Sequence, residues 1–151
     1  AEGFAGEIGH VNVNGKYPCV CGKSGCLEAA SSTLAISKAY EAQSGKSGMT
    51  TEEIFKLVIA GDAVAINVWN DATAAMARAC ELLITILAPE VIVFGGGLSN
   101  AGETFLKPIR DYLDSSLTFQ RKPRLEIAHY GAKAGTIGCA MLAFDRVKAG
   151  K

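Results

Sequence analysis

The chain has 151 residues, and 49% of them are hydrophobic. At this length a single domain removes roughly two thirds of its unfolded surface from water, so we expect a substantial core. Fifteen basic and 15 acidic residues cancel to a formal net charge of zero. This balance excludes a strongly basic field that would attract nucleic acid or an acidic membrane surface.

The N-terminal stretch "AEGFAGEIGH" is acidic and glycine-rich, unlike a secretory signal. The longer apolar stretches are interrupted by charged or polar residues well within twenty positions, so we expect no membrane partner. Five cysteines is an odd number, and Cys80 and Cys139 stand alone in apolar surroundings. We therefore predict a cytoplasmic protein with reduced thiols, in which Cys139 is buried.

A short strand and a helix are predicted first along the chain. Residues 10–14 alternate valine with polar residues and end at the turn pair Asn14–Gly15, which is typical of a strand. Residues 32–43 predict a helix that is capped by Ser32 or Thr33 and ends near the following glycines.

Two more helices follow. Thr50 and Glu53 are spaced as a capping box at the start of the first of them. Asp62 is placed to cap a long helix that runs to about Leu87. The apolar positions of this long helix step by three and four, and we expect them to be buried. They are Val64, Val68, Ala72, Ala75, Ala79, Leu83 and Ile86, widened by Leu82 and Leu87.

The second half of the chain alternates strands and helices. Residues 90–99 form an apolar strand that enters a triple-glycine turn, and residues 101–117 an amphipathic helix that Pro108 can interrupt. Residues 124–131 predict another strand. Small residues within 132–150 predict a last helix that lies close against a sheet. This order of elements indicates an α/β fold.

One histidine and three cysteines form the densest chemical feature of the sequence. His10, Cys19, Cys21 and Cys26 supply one imidazole and three thiolates, a set that binds zinc tetrahedrally. Glycines between the cysteines allow the tight positive-φ turns that bring the ligands together. Four protein ligands leave no open position, so we predict a structural zinc ion.

A zinc site accounts for these cysteines better than three alternative roles do. Unrelated reduced thiols would not account for the clustering with a histidine. A disulfide would leave the third cysteine unpaired. A redox centre more naturally has two residues between its cysteines, whereas Cys19 and Cys21 are separated by one.

Two carboxylates, Glu7 and Glu28, bracket the cysteine cluster. A carboxylate that accepts two charge-assisted hydrogen bonds recognises a pair of sugar hydroxyls well. If one ring nitrogen of His10 binds zinc, the other becomes an oriented donor. The residues by themselves favour a plainer interpretation, in which Glu28 begins a helix and Glu7 is a solvated loop carboxylate.

The stretches "GEIGH" and "CVCGKSGCLE" resemble the ROK family of repressors, uncharacterised reading frames and sugar kinases. Every fixed position of its Glu-x-Gly-His and Cys-x-Cys-Gly-x-x-Gly-Cys-x-Glu motifs is present. The resemblance implies an α/β fold in which residues 1–151 are the C-terminal lobe of an actin-like ATPase. Such a lobe has a mixed sheet, flanking helices and a zinc-binding loop, and its N-terminal partner lobe lies outside this sequence.

The same resemblance implies an ATP-dependent, glucokinase-like hexose kinase that acts as a homodimer. The catalytic Asp base and the magnesium-binding phosphate loop would come from the N-terminal half, and residues 1–151 contain no match for either. The alternative is a sugar-sensing repressor of the same family, which would bind DNA through a helix-turn-helix outside this segment. The resemblance also implies sugar contacts at Glu7, His10 and Glu28, and an adenosine pocket lined by Gly95, Gly96 and Gly97.

Overall fold

The computed structural model describes residues 5–14 and 16–150. Six α-helices and two β-strands lie in these ranges, in an α/β order. None of these helices is both long enough and apolar enough to cross a membrane. The elements are α1 (Leu27–Ser31), α2 (Thr33–Ser44), α3 (Thr51–Ile59), α4 (Ala63–Leu87), β1 (Val91–Phe94), α5 (Glu103–Ser116), β2 (Arg124–Ile127) and α6 (Ala134–Lys148).

The helix starts confirm the predicted caps. The Ser32 hydroxyl accepts the backbone N–H of Ala35 at 3.1 Å at the start of α2. Thr50 and Glu53 form both halves of a capping box on α3. The Asp62 carboxylate accepts an N–H of the first turn of α4 at 2.8 Å. These contacts satisfy backbone donors that a helix N-terminus otherwise leaves unpaired.

Helix α4 is the central element and contacts α1, α2, α3 and α5. The predicted burial of Val68 and Ala72 is confirmed, as is that of Trp69 and Cys80, which we expected to serve packing. The prediction is wrong in the last turns, where Ile84 is buried. Ile86 is 74% exposed, Leu87 66% and Leu82 39%. Two residues along a helix turn the side chain by about 200°, so Ile84 and Ile86 face opposite sides.

Strands β1 and β2 pair in parallel, with Val91 opposite Arg124 and Phe94 opposite Ile127. In the described residues this two-stranded parallel sheet replaces the predicted mixed sheet. Parallel strands need a crossover connection, and α5 supplies it.

The predicted first strand, residues 10–14, is not a strand of this sheet. Asn12 forms an isolated antiparallel bridge with Cys26, and the Val13 N–H donates to the Gly25 carbonyl at 2.7 Å. The segment therefore pairs with Gly25 and Cys26 instead of joining β1 and β2. Residue 15 of the predicted turn pair lies outside the described residues.

Pro108 does not interrupt α5, which runs from Glu103 to Ser116. Proline lacks the N–H that would bond to the carbonyl four residues earlier, on Thr104. That carbonyl instead accepts the indole N–H of Trp69 at 3.2 Å. The expected break is therefore prevented by a side chain from α4.

Helix α6 differs most from expectation, because none of its described residues is buried. Cys139 is exposed, which corrects its predicted burial. Phe144 is 68% and Val147 76% exposed. The prediction that α6 lies close against a sheet is wrong for the described residues, because a sheet of two strands offers little surface and even Val93 of β1 is largely exposed.

Candidate metal and sugar site

The four predicted metal ligands converge at one point. We call residues 10–26 the cysteine loop; the structure describes all of it but residue 15. One ligand atom each from His10, Cys19, Cys21 and Cys26 lies within 4.8 Å of all the others. The Cys21 and Cys26 sulfurs are 3.6 Å apart, as are Cys19 Sγ and His10 Nδ1. The sequence therefore predicted this cluster correctly.

The loop closes on itself through backbone hydrogen bonds. The Cys19 N–H donates to the Lys23 carbonyl at 2.8 Å, and the Gly25 N–H to the Tyr17 carbonyl at 2.6 Å. Gly22 and Gly25 adopt φ values of 84° and 77°, in the left-handed region that glycine tolerates. These turns point the three sulfurs inward, as the glycine spacing predicted.

Two of the thiols have displaced pKa values. The pKa of Cys21 is lowered to about 7, chiefly by a hydrogen bond from the backbone of Lys23, with smaller contributions from the Cys19 and Cys26 side chains. The pKa of Cys26 is raised to about 11, chiefly by burial, with smaller contributions from its two cysteine neighbours. A bound cation would lower the pKa of both thiols, because it deprotonates the thiols that coordinate it.

The His10 ring lies between the thiols and a carboxylate. Its Nδ1 faces Cys19, while its Nε2 is 3.7 Å from Glu28 Oε2. Glu28 is in the first turn of α1, which confirms that it begins a helix, and its side chain is 52% exposed. One carboxylate oxygen thus lies beside the ring nitrogen that the thiols leave free.

Glu7 is less closely joined to this cluster. Its carbonyl accepts the His10 N–H at 3.1 Å, because residues Ile8–His10 form a single 3-10 turn. Its side chain is exposed. The structure therefore brings His10 and Glu28 together and places Glu7 at the start of the preceding turn.

A cavity of about 330 Å³ borders the cysteine loop and α2. Glu28 and Cys19 lie on its wall, and the cavity is open to solvent on one side. Most of the wall is apolar or small, formed by residues such as Tyr17, Pro18 and Leu34. Its few polar groups include Lys38 and Ser32.

A larger cleft, of about 870 Å³, opens between α2, α3, α4 and the turn after β1. Of the three predicted glycines, Gly97 lines it, whereas Gly95 and Gly96 do not. Gly96 has a φ of 85°, so it serves to turn the chain out of β1. The cleft is lined by Thr33, Leu34, Ser37, Thr50, Thr51, Glu52, Phe55, Lys56, Trp69, Gly97, Leu98, Asn100 and Ala101.

Sequence reasoning missed two groups of residues around these sites. The hydroxyl and charged residues of α2 and α3 that line the cleft carry no recognisable motif. Asp71 and Arg78 of α4, which hold the cysteine loop, were missed as well. In the sequence these two residues are charges seven positions apart on an otherwise alanine-rich helix face, and that pattern could have indicated them.

A family model described as the ROK family matches residues 1–146. The chain therefore belongs to the ROK family, as the motifs around His10 and Cys19 indicated.

Individual relatives agree with this assignment. Glucokinase from Halalkalibacterium halodurans is 37% identical to this chain over an alignment of 154 positions, gaps included, which covers 91% of the chain and 47% of that glucokinase. A ROK hexokinase structure from Thermus thermophilus is 31% identical with a TM-score of 0.76, over 96% of this chain and 49% of its own. A ROK family glucokinase from Streptomyces griseus, solved with glucose and AMPPNP, is 25% identical with a TM-score of 0.78, over 91% of this chain and 51% of its own.

The chain thus spans about half the length of the relatives it matches. Its fold is that of ROK sugar kinases, which is the actin-like ATPase fold.

Proposed function

We propose that the full-length protein is an ATP-dependent, glucokinase-like hexose kinase and that residues 1–151 are its C-terminal lobe. Family membership and the match to about half of each kinase relative support this. The uncovered apolar residues of α6, among them Phe144 and Val147, form a surface that a second lobe would bury.

His10, Cys19, Cys21 and Cys26 would hold a structural zinc ion. Bonds of about 2.0–2.3 Å in tetrahedral geometry place neighbouring ligand atoms roughly 3.3–3.8 Å apart. Two ligand pairs of the cysteine loop are already 3.6 Å apart. The donor set therefore fits zinc, and its four protein ligands would make the ion a brace for the loop.

The orientation of the His10 ring is the observation on which the sugar site rests. With Nδ1 on the thiol side, the ring proton belongs on Nε2, which is 3.7 Å from the Glu28 carboxylate. Nε2 can then donate to a sugar hydroxyl while Glu28 accepts from one. Glu7, exposed at the start of the same turn, would accept from another hydroxyl. Together these residues would bind the anomeric end of a hexose.

ATP would place its adenosine in the 870 Å³ cleft, against the turn that contains Gly97. The hydroxyls of Ser37 and Thr51 lie 3.4 Å apart on its wall and offer donors and acceptors to a base or ribose. Lys56 lies on the same wall, where it pairs with the Glu52 carboxylate at 2.9 Å. Gly95 and Gly96 would contribute by shaping the turn.

In this mechanism residues 1–151 bind and orient the sugar and supply no catalytic residue. An Asp of the other lobe would accept the proton of the acceptor hydroxyl, and the magnesium that accompanies ATP would be held there as well. Closure of the two lobes would exclude water from the transferred phosphoryl group. That the protein is cytoplasmic and that it forms a homodimer both stay predictions. The reduced cysteine ligands support the cytoplasm as its compartment and do not bear on the dimer.

A coupled ADP-release assay on the full-length protein tests the proposal. Glucose, mannose, fructose and N-acetylated hexosamines are offered in turn, and we expect one of them to release ADP well above the rate without sugar. If none does, and a sugar instead releases the protein from operator DNA, the protein is the repressor.

A further inference from the structure

The cysteine loop is fastened to α4 at two points between its first and second metal-ligand positions. At one point Arg78 Nη1 donates to the Val13 carbonyl at 3.1 Å. At the other the Asp71 carboxylate accepts the Tyr17 hydroxyl at 3.0 Å and pairs with Lys16 Nζ at 3.2 Å. Both attachments therefore act on the stretch that joins His10 to Cys19.

These attachments share one face of α4. Asp71, Ala75 and Ala79 follow one another at steps of four and Arg78 follows Ala75 by three, spacings that place side chains on one face of a helix. The two alanines are 1% and 2% exposed and allow the loop to approach closely between the charged residues. A small hydrophobic core, separate from the main one, fills this contact. Its buried members are Val13, Leu27, Ala30, Ala75 and Ala79.

The two arms of the metal site differ in how they are held. The three cysteines lie in a turn that closes itself through backbone hydrogen bonds, such as that from Cys19 to Lys23. His10 belongs to a separate 3-10 turn, and residues 11–18 connect the two. Val13, Lys16 and Tyr17 all lie in this connection, so α4 holds it from outside, in addition to the connection's own hydrogen bonds to the cysteine turn, such as that from Val13 to Gly25.

We propose that Asp71 and Arg78 are positioning residues, which hold the connection from His10 to Cys19 on α4 and so keep the His10 ring beside the thiols and Glu28. The inference rests on the metal and sugar site proposed above. Neither residue belongs to that site, so both act through the loop. Glu28 depends on the same support, because Leu27 and Ala30 of α1 pack against the same face of α4.

The first experiment measures metal release from the full-length protein, with a chelating zinc indicator in excess. Arg78→Met keeps much of the side-chain length but removes the donor, and a charged hydrogen bond of this kind predicts release roughly tenfold faster or more. Arg78→Lys, which keeps a donor, should restore most of the retention. Ile84→Val on the main-core side of α4 is the control, and it should lower Tm without changing the release rate.

A second comparison tests Asp71. Tyr17→Phe and Asp71→Ala should each speed release, and the double variant should release little faster than Asp71→Ala alone, because Asp71→Ala already removes the acceptor of the Tyr17 hydroxyl. Fully additive effects would mean that the two residues act separately, and would overturn the role assigned to Asp71.

Amide hydrogen exchange on metal-stripped full-length protein separates this inference from the proposed metal site. Arg78→Met should speed exchange in residues 11–18 and leave α2 and α3 unchanged. If wild-type protein holds no zinc, the metal site fails, and hydrogen exchange then decides the inference alone. If Arg78→Met exchanges its amides in residues 11–18 at the wild-type rate, the positioning role is wrong. It is also wrong if the protein holds zinc and Arg78→Met releases it at the wild-type rate.

Discussion

The indole N–H of Trp69 donates a 3.2 Å hydrogen bond to the main-chain carbonyl of Thr104, the carbonyl that Pro108 leaves without its helical partner. The Trp69 side chain is 3% exposed and packs edge-on against Phe105, with ring centroids 6.4 Å apart. It also lines the large cleft. One residue of α4 thus supports α5 and shapes the proposed nucleotide site.

Trp69→Phe should therefore destabilise the full-length protein beyond the loss of ring volume. It removes the indole donor of the Thr104 carbonyl, and a hydrogen bond of this kind contributes about 0.5–1.5 kcal/mol to the unfolding free energy. Denaturant unfolding measures this loss. The control is the same change in a Pro108→Ala background, where the restored backbone N–H can bond to Thr104. An equal loss in both backgrounds would contradict the role given to Trp69.

Cys21→Ala should remove the bound zinc and lower Tm, because the loop depends on the metal to hold its arms together. Metal analysis of purified wild-type protein should find about one zinc ion per chain. Cys139→Ala is the matched control, since that exposed thiol lies on α6 outside the cluster. A zinc-free wild type that melts at the same temperature as Cys21→Ala would exclude the metal site.

If the full-length protein has the proposed kinase activity, Glu28→Gln should raise its KM for the sugar while its zinc content stays unchanged. One charge-assisted hydrogen bond contributes about 1.5–3 kcal/mol, so we expect an increase of roughly tenfold or more. The control is Glu41→Gln, which removes an exposed carboxylate on α2, away from the site, and should leave KM unchanged. An unaltered KM in Glu28→Gln would show that this carboxylate does not contact the sugar.

The capping box of α3 should make stability depend on acid pH. The backbone N–H of Thr50 lowers the pKa of Glu53 from its usual 4.5, with the Thr50 hydroxyl and Lys56 adding to the effect. Because the folded-state pKa is depressed, the stabilisation is present above about pH 4.5 and is lost as the pH falls through the folded-state value.

Thermal melts between about pH 3 and pH 7 test this. Glu53→Gln should reduce the loss of Tm at acid pH relative to wild type. Glu52→Gln, which removes an exposed ion pair with Lys56 on the same helix, is the control. If wild type and Glu53→Gln lose Tm equally at low pH, the carboxylate is not what stabilises this helix start.

Local interactions explain what could be predicted from the sequence. The caps at Ser32, Thr50 and Asp62 each involve residues within three positions of one another, so their pattern is readable without the fold. Cys19, Cys21 and Cys26 lie within eight positions, with glycines that allow only a few turns. The same pattern carried the family resemblance, which the family model confirms.

Contacts between distant residues decided the rest. Pro108 leaves α5 unbroken because Trp69, 35 residues from Thr104, supplies the missing donor. Residues 10–14 bond to residues 24–27, at the other end of the cysteine loop, although their alternation equally fits a sheet strand. Packing alone determines which residues of α6 and of the last turns of α4 are exposed, since an apolar pattern shows which side chains can be buried but not which surface is there to cover them. The Val13 carbonyl accepts a hydrogen bond from Arg78, 65 residues away, and no local sequence pattern predicts a contact over that separation.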